Sequence, residues 1–277
     1  MTNKTKKELF KIIRTILAVG FGILMIMPLL FMISTSFKTD GQIWKYDIKW
    51  IPDPIILENY IRVFTEMPFL RFFINSVIVA GGVTIGQIVT GYMAAYAFAR
   101  IRFVGRDKIF MLFLATMMIP TYVLIIPQYI MVDRMGMMNS YAAMILPSVV
   151  AAFSIFLLRN FMYSIPFELD EAAMIDGCNR FQILIKIIIP LTKPALSAMI
   201  IFVFMNAWNN LLWPLLVTSS ESMRTIPLAL SYFQTSNDAE YGPLMAAALV
   251  ASLPILIVFM FAQNKFIEGM TMSGVKG

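Results

Sequence analysis

Long apolar stretches separated by short polar ones organise this chain. Six windows contain no Asp, Glu, Lys or Arg: 15–37, 72–99, 109–132, 135–158, 194–220 and 241–264. Crossing about 30 Å of hydrocarbon at about 1.5 Å per residue takes about 20 apolar residues, and every window is at least that long. The pattern predicts an all-α, polytopic membrane protein with six transmembrane helices. No soluble domain and no repeat at a 20–50-residue period interrupts the spans, so residues 1–277 read as a single membrane domain. The first window follows Lys4, Lys6, Lys7, Lys11 and Arg14. Its apolar run exceeds a signal-peptide core and no small-residue cleavage site follows, so it is expected to stay as an anchor.

Composition sharpens this picture by what it removes. Apolar residues make up 59% of the 277 and charged ones 14%, where a soluble domain carries about a quarter charged. Mean hydropathy is +0.77. The lone Cys178 excludes a disulfide within the chain, and with no His or CxxC partner it reads as an inert small residue. The chain has no histidine at all, which removes the commonest general base and metal ligand. No catalytic cluster or metal site is expected, and the chain is read as a non-enzyme. None of the windows holds a carboxylate of the kind that ion-gradient carriers use at mid-membrane. If the protein moves a solute, its energy enters from elsewhere. Two rivals stay open here, a gradient-driven carrier and a membrane scaffold that transports nothing.

Net charge is +6 and pI about 9.4, which in a soluble protein suggests nucleic acid. Mapped onto the windows, the charge says something else. With the N-terminus inside, 15 Lys and Arg fall on inside segments and 7 on outside ones. The short segment 100–108, with Arg100, Arg102, Arg106 and Lys108, decides the matter. By the positive-inside rule both termini lie on the cytoplasmic side of the cell membrane, and no nucleic-acid partner is expected.

Local features predict geometry within this frame. Pro28, Pro120, Pro127, Pro147, Pro214 and Pro254 lie in the windows; each removes a backbone donor and predicts a kink with a carbonyl left to satisfy. Gly82 and Gly86 stand at small-xxx-small spacing, which predicts close helix packing. The outside loop 38–71 carries a mixed stretch, Leu57 to Phe64, expected to form a short interfacial helix that caps the bundle. In the inside loop 159–193, Pro166 can start a helix and Glu168, Asp170 and Glu171 fall in its early turns, where acids complement the helix dipole. Gly177 is a natural stop, and a second short helix follows from about Asn179 to Ile188, ending at Pro190. Two short helices around a glycine make a protruding elbow. Ala172 and Ala173 keep its surface shallow, so that another protein can pack close.

Read together, Glu171-Ala172-Ala173, three residues, Gly177, nine residues and Ile187-x-x-Pro190 resemble the signature loop of permease subunits of ABC importers. The position between the fourth and fifth windows matches as well; Ile189 departs from the Leu more usual there. Further runs resemble the carbohydrate branch, and within it the second permease subunit of maltose-type importers: Ala94-Ala-Tyr-Ala-Phe-Ala-Arg100, Phe103-x-Gly-Arg106, Phe156-Leu-Leu-Arg159, Ala207-Trp-Asn209 with Leu212-Trp-Pro214, and the terminal Gly274-Val-Lys-Gly277.

That resemblance implies one transmembrane permease domain, with a cytoplasmic coupling loop 159–193 and a cytoplasmic tail 265–277. It implies that Glu168, Asp170, Glu171, Ala172, Ala173, Asp176 and Gly177 form the coupling surface for a separate ATPase, Glu171 pairing with a basic residue there. It implies that Gly274, Val275, Lys276 and Gly277 reach the ATPase interface. The implied partners are a second homologous permease, two copies of the ATPase, an external solute-binding protein, a sugar substrate and the lipid bilayer. The chain itself would hold no cofactor, ATP and Mg being bound by the ATPase, in keeping with the lack of a GxxxxGK[ST] run. In the fifth window Asn206, Trp208, Asn209, Asn210 and Trp213 supply amides and indoles of the kind that bind sugar hydroxyls and ring faces. Two readings of that group stay open: a lining for the substrate path, or interhelical glue with an interfacial aromatic belt.

Overall fold

Helices are the only regular elements among the residues described in this computed structural model, which are 3–47, 49–233 and 240–274. In chain order they are α1 (Asn3–Ser36), α2 (Asp40–Ile43), α3 (Glu58–Thr65), α4 (Phe69–Arg100), α5 (Arg106–Thr116), α6 (Thr121–Arg134), α7 (Tyr141–Ile145), α8 (Ala152–Tyr163), α9 (Glu168–Ile175) and α10 (Arg180–Ile183), followed by α11 (Ile189–Leu191), α12 (Lys193–Trp208), α13 (Leu212–Val217), α14 (Ile226–Tyr232) and α15 (Tyr241–Gly274). Three stretches, Phe10–Ser36, Phe69–Arg100 and Tyr241–Gln263, are each long and apolar enough to cross a membrane. Three bent pairs pass the same test together: α5 with α6 at 98°, Tyr141–Ser148 with α8 at 44°, and Arg180–Leu191 with α12 at 81°.

The prolines do not all break their helices. Pro28, Pro127 and Pro254 sit inside continuous helices, whereas Pro120 stands at the α5–α6 break, Pro147 in the 3-10 turn before α8, and Pro214 in the first turn of α13. The third window is therefore two helices meeting at nearly a right angle, because Pro120 lacks a donor and turns Ile119 away from helical backbone. The fifth window likewise ends its long helix at Trp208 and restarts at Leu212. The second elbow helix also differs from expectation: it passes through Pro190 to Leu191 by way of a π-turn over Leu184–Ile188. The wider turn accommodates the proline's missing donor.

The chain divides into two compact units, residues 1–69 with 230–252, and residues 70–229 with 253–277. In the first, α1 exposes large apolar side chains from Phe10 to Phe31, and among its described side chains the buried ones are those of the polar turn at its end. There Asn59, on the short helix expected between Leu57 and Phe64, donates to the carbonyls of Ser36 (3.0 Å) and Lys38 (2.8 Å). Arg62 on the same helix pairs with Glu66 and Glu240, each at 2.6 Å.

In the second unit α4 is the central helix. A Cβ on Gly82 would meet Ile145 Cδ1 at 2.7 Å, and one on Gly86 would meet Val149 Cγ1 at 2.6 Å, so the small-residue stripe is where α4 and the Pro147 kink touch. The kink frees carbonyls, and α4 satisfies them. Gln87 donates to Ser148 O (2.7 Å) and Thr90 to Val149 O (2.5 Å), while Ser154 donates back to Gln87 Oε1 (2.6 Å). The core continues from Tyr92, Ala95 and Tyr96 through Leu158 and Met162 to Ala173, Ile183 and Ile188 in the elbow, and to Met199 on α12. Elbow and spans thus share one apolar core.

Candidate functional site

Two places in the second unit carry the sequence-predicted residues. The first is the elbow. Its first limb, α9, starts two residues after Pro166, and Gly177 closes it at φ +83°, a conformation that favours glycine. The second limb is capped reciprocally: Asn179 Oδ1 accepts from Gln182 N (2.9 Å) and Gln182 Oε1 from Asn179 N (2.8 Å). That capping box stands in the sequence as Asn-x-x-Gln and is a signal sequence reasoning passed over.

The predicted coupling residues divide between the elbow's two faces. Glu168, Glu171, Ala172, Asp176 and Gly177 are exposed, together with Ile175 at 87%. Asp170 and Ala173 face the other way. Ala173 packs into the core, so the shallow outer surface is due to Ala172 and Gly177. Asp170 is 0% exposed, and its Oδ2 lies 3.6 Å from Nη1 of Arg100, the last residue of α4. Arg100 spends its other amino group on the carbonyls of Met162 (2.5 Å) and Ile165 (2.7 Å), and its Cζ stands 5.5 Å from the Phe167 ring. Burial pushes the Asp170 carboxyl above its ordinary pKa, while Arg100 and Arg180 pull it back. Of the predicted tail residues, Gly274 ends α15, and Val275, Lys276 and Gly277 lie outside the described residues.

The second place is a cavity of about 500 Å³. Gln87 on α4, Ser148 in the kink, Phe153 on α8, Asn206 on α12 and Asn210 with Trp213 at the start of α13 line it. Three of the five predicted path residues are therefore brought together. They come from the end of α12, the break after Trp208 and the start of α13, so it is the break that brings them together. Trp208 and Asn209 do not line the cavity. Trp208 is buried, stacked on Phe204 (5.6 Å) and edge-on to Phe73 (5.7 Å), and Asn209 donates to Met205 O on its own helix (2.9 Å). Trp213 is fixed by its indole N–H on Ala143 O (3.0 Å), and its backbone N–H is held by Asn210 Oδ1 (3.2 Å). Asn206 makes no hydrogen bond among the described residues and is exposed to the cavity. Gln87 and Ser148 are lining residues that sequence reasoning missed, although Gln87 and Asn75 are the two amides in the second window.

No charged side chain lines this cavity. Amide donors and acceptors beside aromatic rings suit an uncharged polyhydroxyl ligand better than an anion. Among the described residues no group of three His, Cys, Asp or Glu is placed to hold a metal.

Residues 87–271, which include the elbow and all of the cavity lining except Val79 and Val83, match the family model for the binding-protein-dependent transport system inner membrane component. The chain belongs to that family. It is 36% identical over 98% of its length to the arabinooligosaccharides transport system permease protein AraQ of Halalkalibacterium halodurans, covering 100% of that protein. It is 35% identical over 98% of its length to the diacetylchitobiose uptake system permease protein DasC of Streptomyces coelicolor, again covering 100%. The fold matches a chain in the crystal structure of a bacterial ABC transporter involved in the import of the acidic polysaccharide alginate. That match has a TM-score of 0.83 at 22% identity and covers 96% of this chain and 99% of the other. As a member of this family the chain is a multi-pass membrane permease subunit, and family membership disposes of the scaffold reading.

Proposed function

We propose that this chain forms half of the translocation path of an ATP-driven importer whose cargo is an uncharged sugar or oligosaccharide. The observation that carries the reading is the joining of two surfaces through one helix. The elbow exposes acids and small residues on its outward face and meets the end of α4 through Asp170 on its buried face, and α4 further along lines an uncharged, amide-bearing cavity. The saccharides named for AraQ and DasC support the cargo class.

In this reading each bent pair counts as one span, which makes six, and the excess of basic residues on inside segments sets both termini in the cytoplasm. Glu171 pairs with a basic residue of a separate ATPase, Glu168 and Asp176 add acidic character, and Ala172 and Gly177 allow close approach. The tail Gly274 to Gly277 reaches the same ATPase. Two ATPase copies bind ATP and Mg, and this chain contributes no cofactor site. A second permease completes the path and covers part of the exposed surface of α1, lipid taking the rest. An external solute-binding protein delivers the sugar to the loops 38–71 and 219–240.

Reconstitution with the second permease, the ATPase and the binding protein tests this reading. Uptake of labelled arabino- or chito-oligosaccharide into proteoliposomes is expected only with ATP and with the complete set of subunits. Uptake by this chain alone, driven by a proton or sodium gradient, would overturn it.

A further inference from the structure

One feature of the elbow is left unused by ATPase docking. Asp170 is fully buried, and neither of its carboxylate oxygens has a hydrogen-bond partner. Its counter-charge, Arg100, is 4% exposed and stands at 3.6 Å, outside hydrogen-bond distance, with Nε also unbonded. Arg180 of α10 is the second cation acting on Asp170, and the buried hydroxyl of Tyr96 lies one turn before Arg100 on α4. A buried ion pair with incomplete hydrogen bonding is a poor source of stability, since desolvation of both charges offsets most of their attraction. Such pairs are better suited to fixing a register between elements than to strengthening a core.

The elements joined here are informative. Asp170 sits on the first limb of the elbow, Arg100 ends α4, and the two carbonyls that Arg100 holds close the end of α8. Thirteen residues back along the same unbroken α4, a distance of about 20 Å at about 1.5 Å per residue, Gln87 lines the cavity and is bonded to the Pro147 kink. We propose that Arg100 and Asp170 form a latch that makes the elbow and α4 move as one body, so that displacement of the elbow reaches the cavity wall as a shift of α4. Both are positioning residues: neither touches substrate. Without the latch the ties left between elbow and α4 are apolar packing at Ala173, Ile183 and Ile188 and the Tyr92–Thr192 hydrogen bond (2.9 Å) at the elbow's far end, so the first limb can pivot at Pro166 while α4 stays behind.

This inference rests on the proposal that the elbow docks the ATPase, and the test separates the two. The full importer is assembled with Cys178→Ser and spin labels at Ile175, exposed on the elbow, and at Met93, 58% exposed on α4. With native Arg100 and Asp170 the distance between the labels should be the same with and without ATP. A distance that changes on ATP binding means that elbow and α4 move separately, and it overturns the latch whatever the variants do. Asp170→Asn, which keeps the shape and removes the charge, should retain stoichiometric ATPase and hydrolyse ATP within about twofold of the native rate. Sugar taken up per ATP hydrolysed should fall about tenfold, the scale of an ordinary coupling between sites, and the label distance should now respond to ATP. Unchanged uptake per ATP in Asp170→Asn, or loss of the ATPase from that complex, overturns the latch. Glu171→Lys on the outer face is the control for docking: it should shed the ATPase, and if the ATPase stays bound, the docking reading fails while the label distance still decides the latch.

Discussion

The middle of α4 and its Arg100 end handle buried polarity in opposite ways. Beside the cavity the groups are neutral and fully engaged: Gln87 donates to Ser148 and accepts from Ser154, and Thr90 takes the carbonyl of Val149. At the elbow end they are charged and loosely engaged, with Asp170 and Arg100 at 3.6 Å and three of their polar atoms unbonded. Neutral, saturated networks lock one geometry. A charged, under-bonded contact ties two elements without welding them. The wall of the cavity is built to hold its shape, whereas its connection to the elbow is built to transmit a movement.

The largest expected effect breaks the elbow itself. Gly177 has φ +83°, and proline is locked near −65°, so Gly177→Pro cannot close α9 as the native chain does. Uptake by the reconstituted importer should drop to background while the chain still inserts at normal levels, judged by yield from membranes. Normal transport by this variant would remove the elbow from the mechanism.

In the middle of α4, where it meets the kink, the expected damage is to stability. Gly86→Leu forces side-chain atoms into Val149, whose Cγ1 would already lie 2.6 Å from a Cβ. Overpacking of this kind costs about 1–3 kcal/mol, and it should lower the melting temperature of the detergent-solubilised chain. Gly81 has open space around it, so Gly81→Ala should leave the midpoint unchanged or raise it slightly, glycine being the poorer helix former. Equal loss at both positions would mean that the close approach of α4 to the kink is not what the glycines serve.

A smaller effect tests the cavity. Asn206→Ala removes a side chain with no protein hydrogen bond, and Asn210→Ala removes an acceptor for the Trp213 backbone. Each should raise the KM for sugar uptake by about 3- to 10-fold, the value of one hydrogen bond at about 1 kcal/mol. Asn209→Ala, off the cavity face, should leave KM alone. Matching losses at all three positions would return the group to interhelical packing.

How much of this was legible in the sequence differs between the elbow and the cavity. The elbow was readable because its signals are local: a helix-starting proline, acids in the first turn, a glycine stop and a spacing that resembles a known loop. Its buried face was not readable. An acid in a first turn fits an exposed dipole partner, and only the fold brings Arg100, seventy positions earlier, against Asp170. In the cavity, the break between Trp208 and Leu212 decides that Asn206, Asn210 and Trp213 line it and Trp208 and Asn209 do not, and Gln87 and Ser148 join them from α4 and the kink through contacts no single window contains. The prolines teach the same lesson. Pro120, Pro147 and Pro214 stand at breaks while Pro28, Pro127 and Pro254 ride inside helices, and the sequence marks the candidates without choosing among them.

The finest test sets stability against coupling through the charge of Asp170. Burial raises the folded pKa of its carboxyl above the ordinary value, with Arg100 and Arg180 opposing. A folded state with the higher pKa binds the proton more tightly than the unfolded state, so this group's contribution to stability is largest at low pH and is lost as pH rises through the folded pKa. Lowering the pH from neutral toward the ordinary carboxylate range should therefore favour the folded elbow through this group, and Asp170→Asn should flatten that part of the thermal midpoint's pH profile. Coupling should run the other way. A protonated Asp170 no longer pairs with Arg100, so uptake per ATP in the native importer should decline on acidification, with no such decline beyond the already low value in Asp170→Asn. If stability and coupling fall together, Asp170 acts as a structural member of the core; if they part, its charge serves the movement of α4.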